Sequence, residues 1–368
     1  MPLSNSLWKN LPASALQSGS QLMLDWDRLN AGQGDLPFLA GDVIISALNL
    51  LGTGRERLLI AHKGSDVVAM LVLCPVGKFR WQTFQPSQIP LGAWVADKPV
   101  LLLELGRSLL RGPLGPLGLC LGLSFTQVDP LIAPRADDTP DSLASDYIET
   151  GWIDISGSFD DYWSARGKNL RQNMRKQRTK LLADGIKLTS QRLTDFADMA
   201  PAIARYGRLE SAGWKAVNGT AIHPDNDQGR FYREMLEHAS LRGEAVIYQF
   251  LFDDQVVAMN LCLARNGPLV VLKTTYDESI QSYSPAFLLQ ENELQQLHSE
   301  GLIRRLEYFG RLMEWHSKWT DKNRTLYHLT LYRWPFLKKL ADARNRKVTA
   351  KENAKAGEVR VNAEAKPG

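Results

Sequence analysis

The chain has 368 residues, of which 44% are hydrophobic and 23% charged, and a formal net charge of +4. Its length exceeds what one core usually fills, so two domains are expected, and the composition excludes a disordered or fibrous chain. So small a charge excludes nucleic-acid binding through the overall field, and any anion site must be local.

In chain order, residues 1–36 read as an N-terminal arm without the basic start and apolar run of a signal peptide, so a cytoplasmic protein is expected. From Pro37 the pattern is a helix (Asp42 to Leu51) and a hairpin (Arg57 to His62, then Asp66 to Cys74, across Gly64-Ser65). A Trp- and Pro-rich segment follows, then a helix and a strand from Leu117 to Gly122. The stretch Val100 to Leu123 is no membrane span, because Glu104, Arg107, Arg111, Pro113 and Pro116 interrupt it. A first domain over 37–150 and a second over 151–340 are predicted, with a mobile tail over 341–368 that lacks apolar periodicity.

The second half opens with a long helix, Phe159 to Ala183, then helices around Ala200 to Ser211 and from Asp227 to Leu241. Three antiparallel strands are expected next: Ala245 to Phe252, Gln255 to Ala264 and Leu269 to Thr275, turning at Asp253-Asp254 and Asn266-Gly267. Ser284-Pro285 opens a helix to His298, and Leu302 to Phe309 reads as a strand. Mixed helices and short strands imply an α/β or α+β fold, and the shared helix, hairpin, helix order suggests one unit built twice.

Several side-chain groups carry chemistry. On the helix Phe159 to Ala183 an apolar stripe (Trp163, Leu170, Met174, Leu181) faces the core, while Arg166, Lys168, Arg171, Arg175, Lys176, Arg178 and Lys180 cover the rest. A solvated face is the plain reading, but a run of cations without acids is relieved by an anionic ligand or surface. Glu210, Trp214 and Lys215 precede the adaptable Gly219-Thr220-Ala221 loop; Trp214 either serves a site or plugs a seam.

Tyr276, Asp277, Ser284 and Pro285 frame a junction between strand and helix, with Ser284 as N-cap and Pro285 as first helical residue. A free helix N-terminus beside a strand end suits a phosphate. Glu307, His316 and Lys318 offer an acid or base, a neutral-range titrating group and a cation. The cysteines Cys74, Cys120 and Cys262 are scattered and suit reduced thiols, and no metal-ligand spacing, phosphate loop or nucleophile elbow occurs.

At these residues the chain resembles the GNAT-superfamily acetyltransferases related to the cellulose-biosynthesis protein CelD, also described as BioF2-like. The resemblance covers about Pro37 to Arg333 and rests on Tyr162-Trp163 with Lys168, Asn169, Arg171 and Lys176, on Gly213-Trp214-Lys215 with Gly219-Thr220-Ala221, on Tyr276-Asp277 with Tyr283-Ser284-Pro285, and on Gly310 before Lys318-Trp319. The chain has Ala286 where that family commonly has Gly, and no glycine-rich pyrophosphate loop.

The resemblance implies tandem GNAT-like units with mixed, mostly antiparallel sheets flanked by helices, the second unit holding acetyl-CoA or another acyl-CoA and no metal. It implies acyl transfer to an amine or hydroxyl in exopolysaccharide, cellulose or cell-envelope precursor synthesis, with polysaccharide-synthesis proteins as partners. In that reading Thr274, Thr275, Tyr276, Ser284, Pro285, Ala286 and Phe287 hold the donor, and Glu307, His316 and Tyr276 supply the acid and base. Arg171, Lys176, Trp214, Lys215, Lys318 and Trp319 hold an anionic acceptor. Fem-type aminoacyl transferases look like distant relatives, which keeps aminoacyl-tRNA open as an alternative donor and a non-catalytic scaffold as a third reading.

Overall fold

The structure is a computed structural model that describes residues 7–98, 101–110, 115–212 and 222–344. The chain starts with β1 (Leu7–Pro12), α1 (Gln21–Gln33) and α2 (Gly41–Leu51). Strands β2 (Arg57–Lys63), β3 (Asp66–Pro75), β4 (Arg80–Thr83) and β5 (Trp94–Ala96) follow, then α3 (Leu102–Leu110), β6 (Gly122–Val128) and β7 (Ser142–Asp154). Two helices, α4 (Phe159–Ser164) and α5 (Lys168–Ala183), lead into a second round of the same order. It comprises β8 (Leu188–Leu193), α6 (Phe196–Ala212), α7 (Asp227–Ser240), β9 (Ala245–Phe252), β10 (Gln255–Ala264) and β11 (Pro268–Tyr276). The chain then runs through α8 (Pro285–Glu300), β12 (Arg305–Glu307), the short α9 (Glu314–Ser317) and β13 (Asn323–Tyr332).

Among the described residues one sheet runs β1-β2-β3-β4-β6-β13-β7-β12-β11-β10-β9-β8, with β5 on the side of β3. The order is symmetric about its middle. In each half the outer strands are antiparallel, while β4 with β6 and β11 with β12 are parallel. The last strand of each half crosses over: β7 pairs β12, β13 pairs β6, and the two pair each other antiparallel. The duplicated order suggested by the sequence is therefore present in the topology, and the expected boundary at 150/151 falls inside β7.

One face of the sheet is covered by α1, α2, α6 and α7 in a shared core that includes Trp26, Val43, Tyr206, Phe231 and Phe309. The opposite face has two cores, one under α3 (Leu105, Leu109, Phe125, Leu331) and one under α8 and α5 (Met174, Tyr248, Leu288, Trp319). Turn chemistry sets the second-half hairpins: Asp253 has φ 53°, and Asn266 and Gly267 have φ 51° and 118°.

Four sequence expectations are corrected. The helix over Phe159 to Ala183 breaks at 165–167, where Gly167 is extended (φ −55°, ψ 138°) and a new helix starts. The strand placed at Leu117 to Gly122 begins only at Gly122, because Gly118 turns the chain with φ 66°. The strand over Leu302 to Phe309 pairs only at Arg305–Glu307, and the arm expected over 1–36 holds β1, paired with β2, and α1. Residues 335–344 are helical, and the rest of the segment expected as a tail lies outside the described residues.

Candidate active site

The parallel strands β11 and β12 pair over only three positions, Pro268 with Arg305 through Val270 with Glu307. Beyond Val270 they part. On β11, Cys262 of β10 faces Val271 and Leu261 faces Lys273, so Leu272 is one residue too many and forms a bulge that bends the strand. On the other side the chain leaves the sheet after Tyr308, whose N–H donates to Gly151 O at 3.2 Å, and turns at Phe309, φ 51°.

A cavity of about 350 Å³ fills this wedge and passes through the sheet. On the α8 side it is lined by Ser284, Pro285, Ala286, Phe287 and Gln290, and along β11 by Val271, Thr274, Thr275 and Tyr276. Leu209 and Glu210 of α6 close it on the other face, and Tyr308, Trp315 and Trp319 stand opposite β11. Ser284 and Phe287 also wall a neighbouring pocket of about 720 Å³ with Arg166, Gly167, Asn169, Asn173, Lys318 and Asp321.

Two helix N-termini, those of α5 and α8, meet at that second pocket, and neither has a side-chain cap. Their free N–H groups add to the positive field of Arg166 and Lys318. Ser284 does not cap α8 as expected. A capping hydroxyl reaches the first-turn N–H groups from an extended backbone, whereas Ser284 is left-handed (φ 53°, ψ 51°). Only its carbonyl serves the helix, accepting from Phe287 and Leu288 N–H at 3.0 and 3.1 Å.

All seven residues anticipated for donor binding, Thr274 through Tyr276 and Ser284 through Phe287, line the wedge. Trp319 lines it too, fully buried between Trp163 (ring centroids 5.9 Å apart) and Phe287 (5.6 Å). Its carbonyl is pinned by Tyr162 Oη (2.8 Å) and the Arg166 guanidinium (2.9 Å). Lys318 lies over the Phe287 ring at 5.6 Å, in the second pocket.

Other anticipated residues lie elsewhere. Arg171 and Lys176 are exposed on α5; Arg171 Nε donates to Arg166 O at 3.1 Å, and Lys176 borders an outward groove with Arg175 and Lys180. Trp214 and Lys215 lie outside the described residues.

The two expected bases are corrected. Glu307 does not line the wedge; its carboxylate accepts from Arg324 at 2.9 Å, and Arg324 also grips Asp129 at 2.8 Å. Burial pushes Glu307 above the usual carboxylate range, against the pull of Arg324. His316 is also buried away from the wedge, stacked on Trp315 (3.5 Å) and edge-on to Tyr308 (4.5 Å). Its Nδ1 accepts the Met313 N–H at 2.8 Å, so the ring proton sits on Nε2, and burial lowers its pKa to about 4.

The carboxylate that does reach the cavity is Glu210, which the sequence grouped with Trp214 and Lys215 but did not mark as a base. Glu210 is 2% exposed, accepts the Ile222 N–H at 2.7 Å, and has Lys273 Nζ at 3.9 Å. Its signal was available: an acid on the buried stripe Met199, Ile203, Tyr206, Glu210 of α6. A buried polar group on the α8 side was missed as well. Asn260 Nδ2 donates to Glu293 Oε2 at 2.7 Å and Tyr308 Oη to Gln290 Oε1 at 3.3 Å.

The first half has the equivalent parallel pair, but its split is closed. Thr83 and Thr126 hydroxyls bond at 2.7 Å across β4 and β6, and Gly92 N–H donates to Thr126 O at 3.1 Å. A Cβ on Gly92 would sit 2.7 Å from that carbonyl, so the filling is tight.

Residues 168–317, from α5 to α9, match the family model described as an acetyltransferase (GNAT) domain. The domain thus coincides with the open wedge. Among solved structures, the C-terminal domain of a putative lysylphosphatidylglycerol synthetase from Agrobacterium fabrum superposes with a TM-score of 0.52 at 14% identity, over 83% of this chain and 91% of that chain. FemX (TM-score 0.47, 10% identity, 75% and 88% covered) and a tandem GNAT protein from the clavulanic acid biosynthesis pathway (0.44, 12%, 89% and 99%) are also similar. No curated protein matches the chain. Among the described residues no His, Cys, Asp or Glu group is arranged to hold a metal, and no helix is long and apolar enough to cross a membrane.

Proposed function

We propose that the chain is an acyl-CoA-dependent acyltransferase that works at the β11/β12 wedge. The observation that carries this reading is that, of two equivalent strand splits, the one inside the GNAT-matched segment opens into a cavity ending at a helix N-terminus. The Ala286 N–H at the start of α8 and the first-turn N–H groups of α5, with Arg166 and Lys318, take the diphosphate of the donor. The edge of β11 from Val271 to Tyr276, freed from β12, offers backbone groups to the pantetheine arm and the thioester carbonyl.

A thioester is already activated, so the chain has mainly to align donor and acceptor and accept a proton. Glu210 is the base in this proposal, since it faces the cavity from the α6 side, opposite α8, and Tyr276 supplies a hydroxyl at the rim as acid. An amine or hydroxyl acceptor enters from the α6 side. The CelD-like resemblance supports an exopolysaccharide, cellulose or envelope precursor as that acceptor.

Calorimetric titration with acetyl-CoA tests the reading. Binding is expected to weaken in Lys318→Glu, while Glu210→Gln leaves binding intact and lowers kcat by about 10²- to 10⁴-fold. A chain that binds no acyl-CoA ends the proposal.

A second reading, aminoacyl-tRNA as donor, is favoured by one observation: Lys168, Arg171, Arg175, Lys176 and Lys180 are all exposed on α5. It requires salt-dependent tRNA binding that vanishes in Arg171→Glu/Arg175→Glu.

A further inference from the structure

The floor of the wedge is polar where an acetyl group alone would need nothing polar. Asn260 and Gln290 line the cavity at 3% and 4% exposure. Among the described residues Asn260 Oδ1 and Gln290 Nε2 have no hydrogen-bond partner, while their other ends are taken by Glu293 and Tyr308. Leaving such atoms unpaired in a folded core is costly, so a ligand group that pairs both is favoured.

Their place relative to the donor is set by the register. Asn260 lies directly across from Thr274, within the β11 edge offered to the donor, and its bond to Glu293 puts it on the α8 face of the sheet. Gln290 lies three residues before Glu293, the partner of Asn260, and so shares that face of α8. Glu210 and the acceptor lie on the opposite face.

Resting on the acyl-CoA reading, we propose that the donor's acyl chain carries a hydroxyl that Asn260 and Gln290 bind on this floor. A hydroxyl donates to the free Asn260 oxygen and accepts from the free Gln290 amide, and its two-way capacity survives either orientation of the Gln290 side chain. An anionic chain is disfavoured. Behind the floor stands Glu293, fully buried, without a partner at Oε1 among the described residues, and raised by burial to about 8. It stands there as a neutral acid at physiological pH and offers a carboxylate no counter-charge.

The full chain is titrated by calorimetry with acetyl-, butyryl-, succinyl- and both epimers of 3-hydroxybutyryl-CoA. One hydroxylated epimer is expected to bind at least about tenfold tighter than butyryl-CoA, with succinyl-CoA weaker than either. In Gln290→Leu the preference for the hydroxyl is expected to fall below about threefold. Equal affinity for the hydroxylated and plain chains overturns this inference and leaves the acyltransferase reading standing, the floor then being a site for internal water. Failure of every thioester to bind overturns both. The ligand series on the unaltered chain decides the matter even if the variant does not fold.

Discussion

Arg324 holds two carboxylates at once, Asp129 from the end of β6 and Glu307 from β12, with all three side chains under a tenth exposed. Its guanidinium also lies over Trp152 (5.4 Å) and Phe309 (5.0 Å), so it is packed as well as paired. In Arg324→Met Asp129 loses its counter-charge in a buried place and Glu307 keeps only the half-buried Arg305 at 3.6 Å, and a loss of about 3–5 kcal/mol is expected in urea unfolding. An unchanged midpoint would show that the cluster contributes nothing net. Two other buried groups predict the pH dependence with opposite signs. Glu293 keeps its proton to about 8 when folded, so its contribution is complete below 4.5 and is lost as pH rises through 8. His316, lowered to about 4, contributes above 6.5 and loses that contribution as pH falls towards 4. In Glu293→Gln the alkaline loss should disappear, the variant gaining on the order of 4 kcal/mol on the parent between pH 4.5 and 8. Parallel stability profiles for parent and variant would count against a neutral Glu293.

The second half of α6 and the segment at Ile222 meet through a glycine. A Cβ at Gly207 would lie 2.7 Å from Ile222 O, and it is the Ile222 N–H that holds Glu210 at 2.7 Å. In Gly207→Ala the segment must retreat, at about 1–3 kcal/mol for the overpacking. Melting should drop by several degrees, and acyl transfer should fall further than stability does, because Glu210 loses its anchor. Equal activity per folded molecule would remove Glu210 from the chemistry. The wedge itself is a property of elements. β11 bends at its bulge and β12 is only three residues long, so neither strand by itself contains the cavity.

Across the whole molecule the exchange of β7 and β13 makes each half incomplete without the other. Phe38 of the first half rests edge-on against Phe309 of the second at 5.1 Å, and Arg242 pairs with Asp42, Arg265 with Asp35. Cutting the chain after residue 156 should therefore leave two fragments without cooperative melting, and co-expression should restore one. A second half that melts cooperatively alone would mean that β7 is dispensable to it.

Local chemistry in the chain determined much of this. The turns at Asp253 and Asn266-Gly267 set β9, β10 and β11 to within a residue, and Ser284-Pro285 marked the start of α8, so the donor side of the wedge could be read as a run of neighbours. The folded molecule decided the rest. Glu307 and Glu210 are both acids among apolar neighbours, and which of them faces the cavity depends on a strand partner far away in the chain: Arg324 claims the first, while a bulge opens the sheet toward the second. β13 was not anticipated although Leu329 and Leu331 alternate with polar residues along it; which strands it joins, β6 and β7, is decided by the first half. Periodicity reports which face of an element is apolar. It carries no record of which distant element will cover that face, and a site built from the meeting of two sheet faces exists only once they have met.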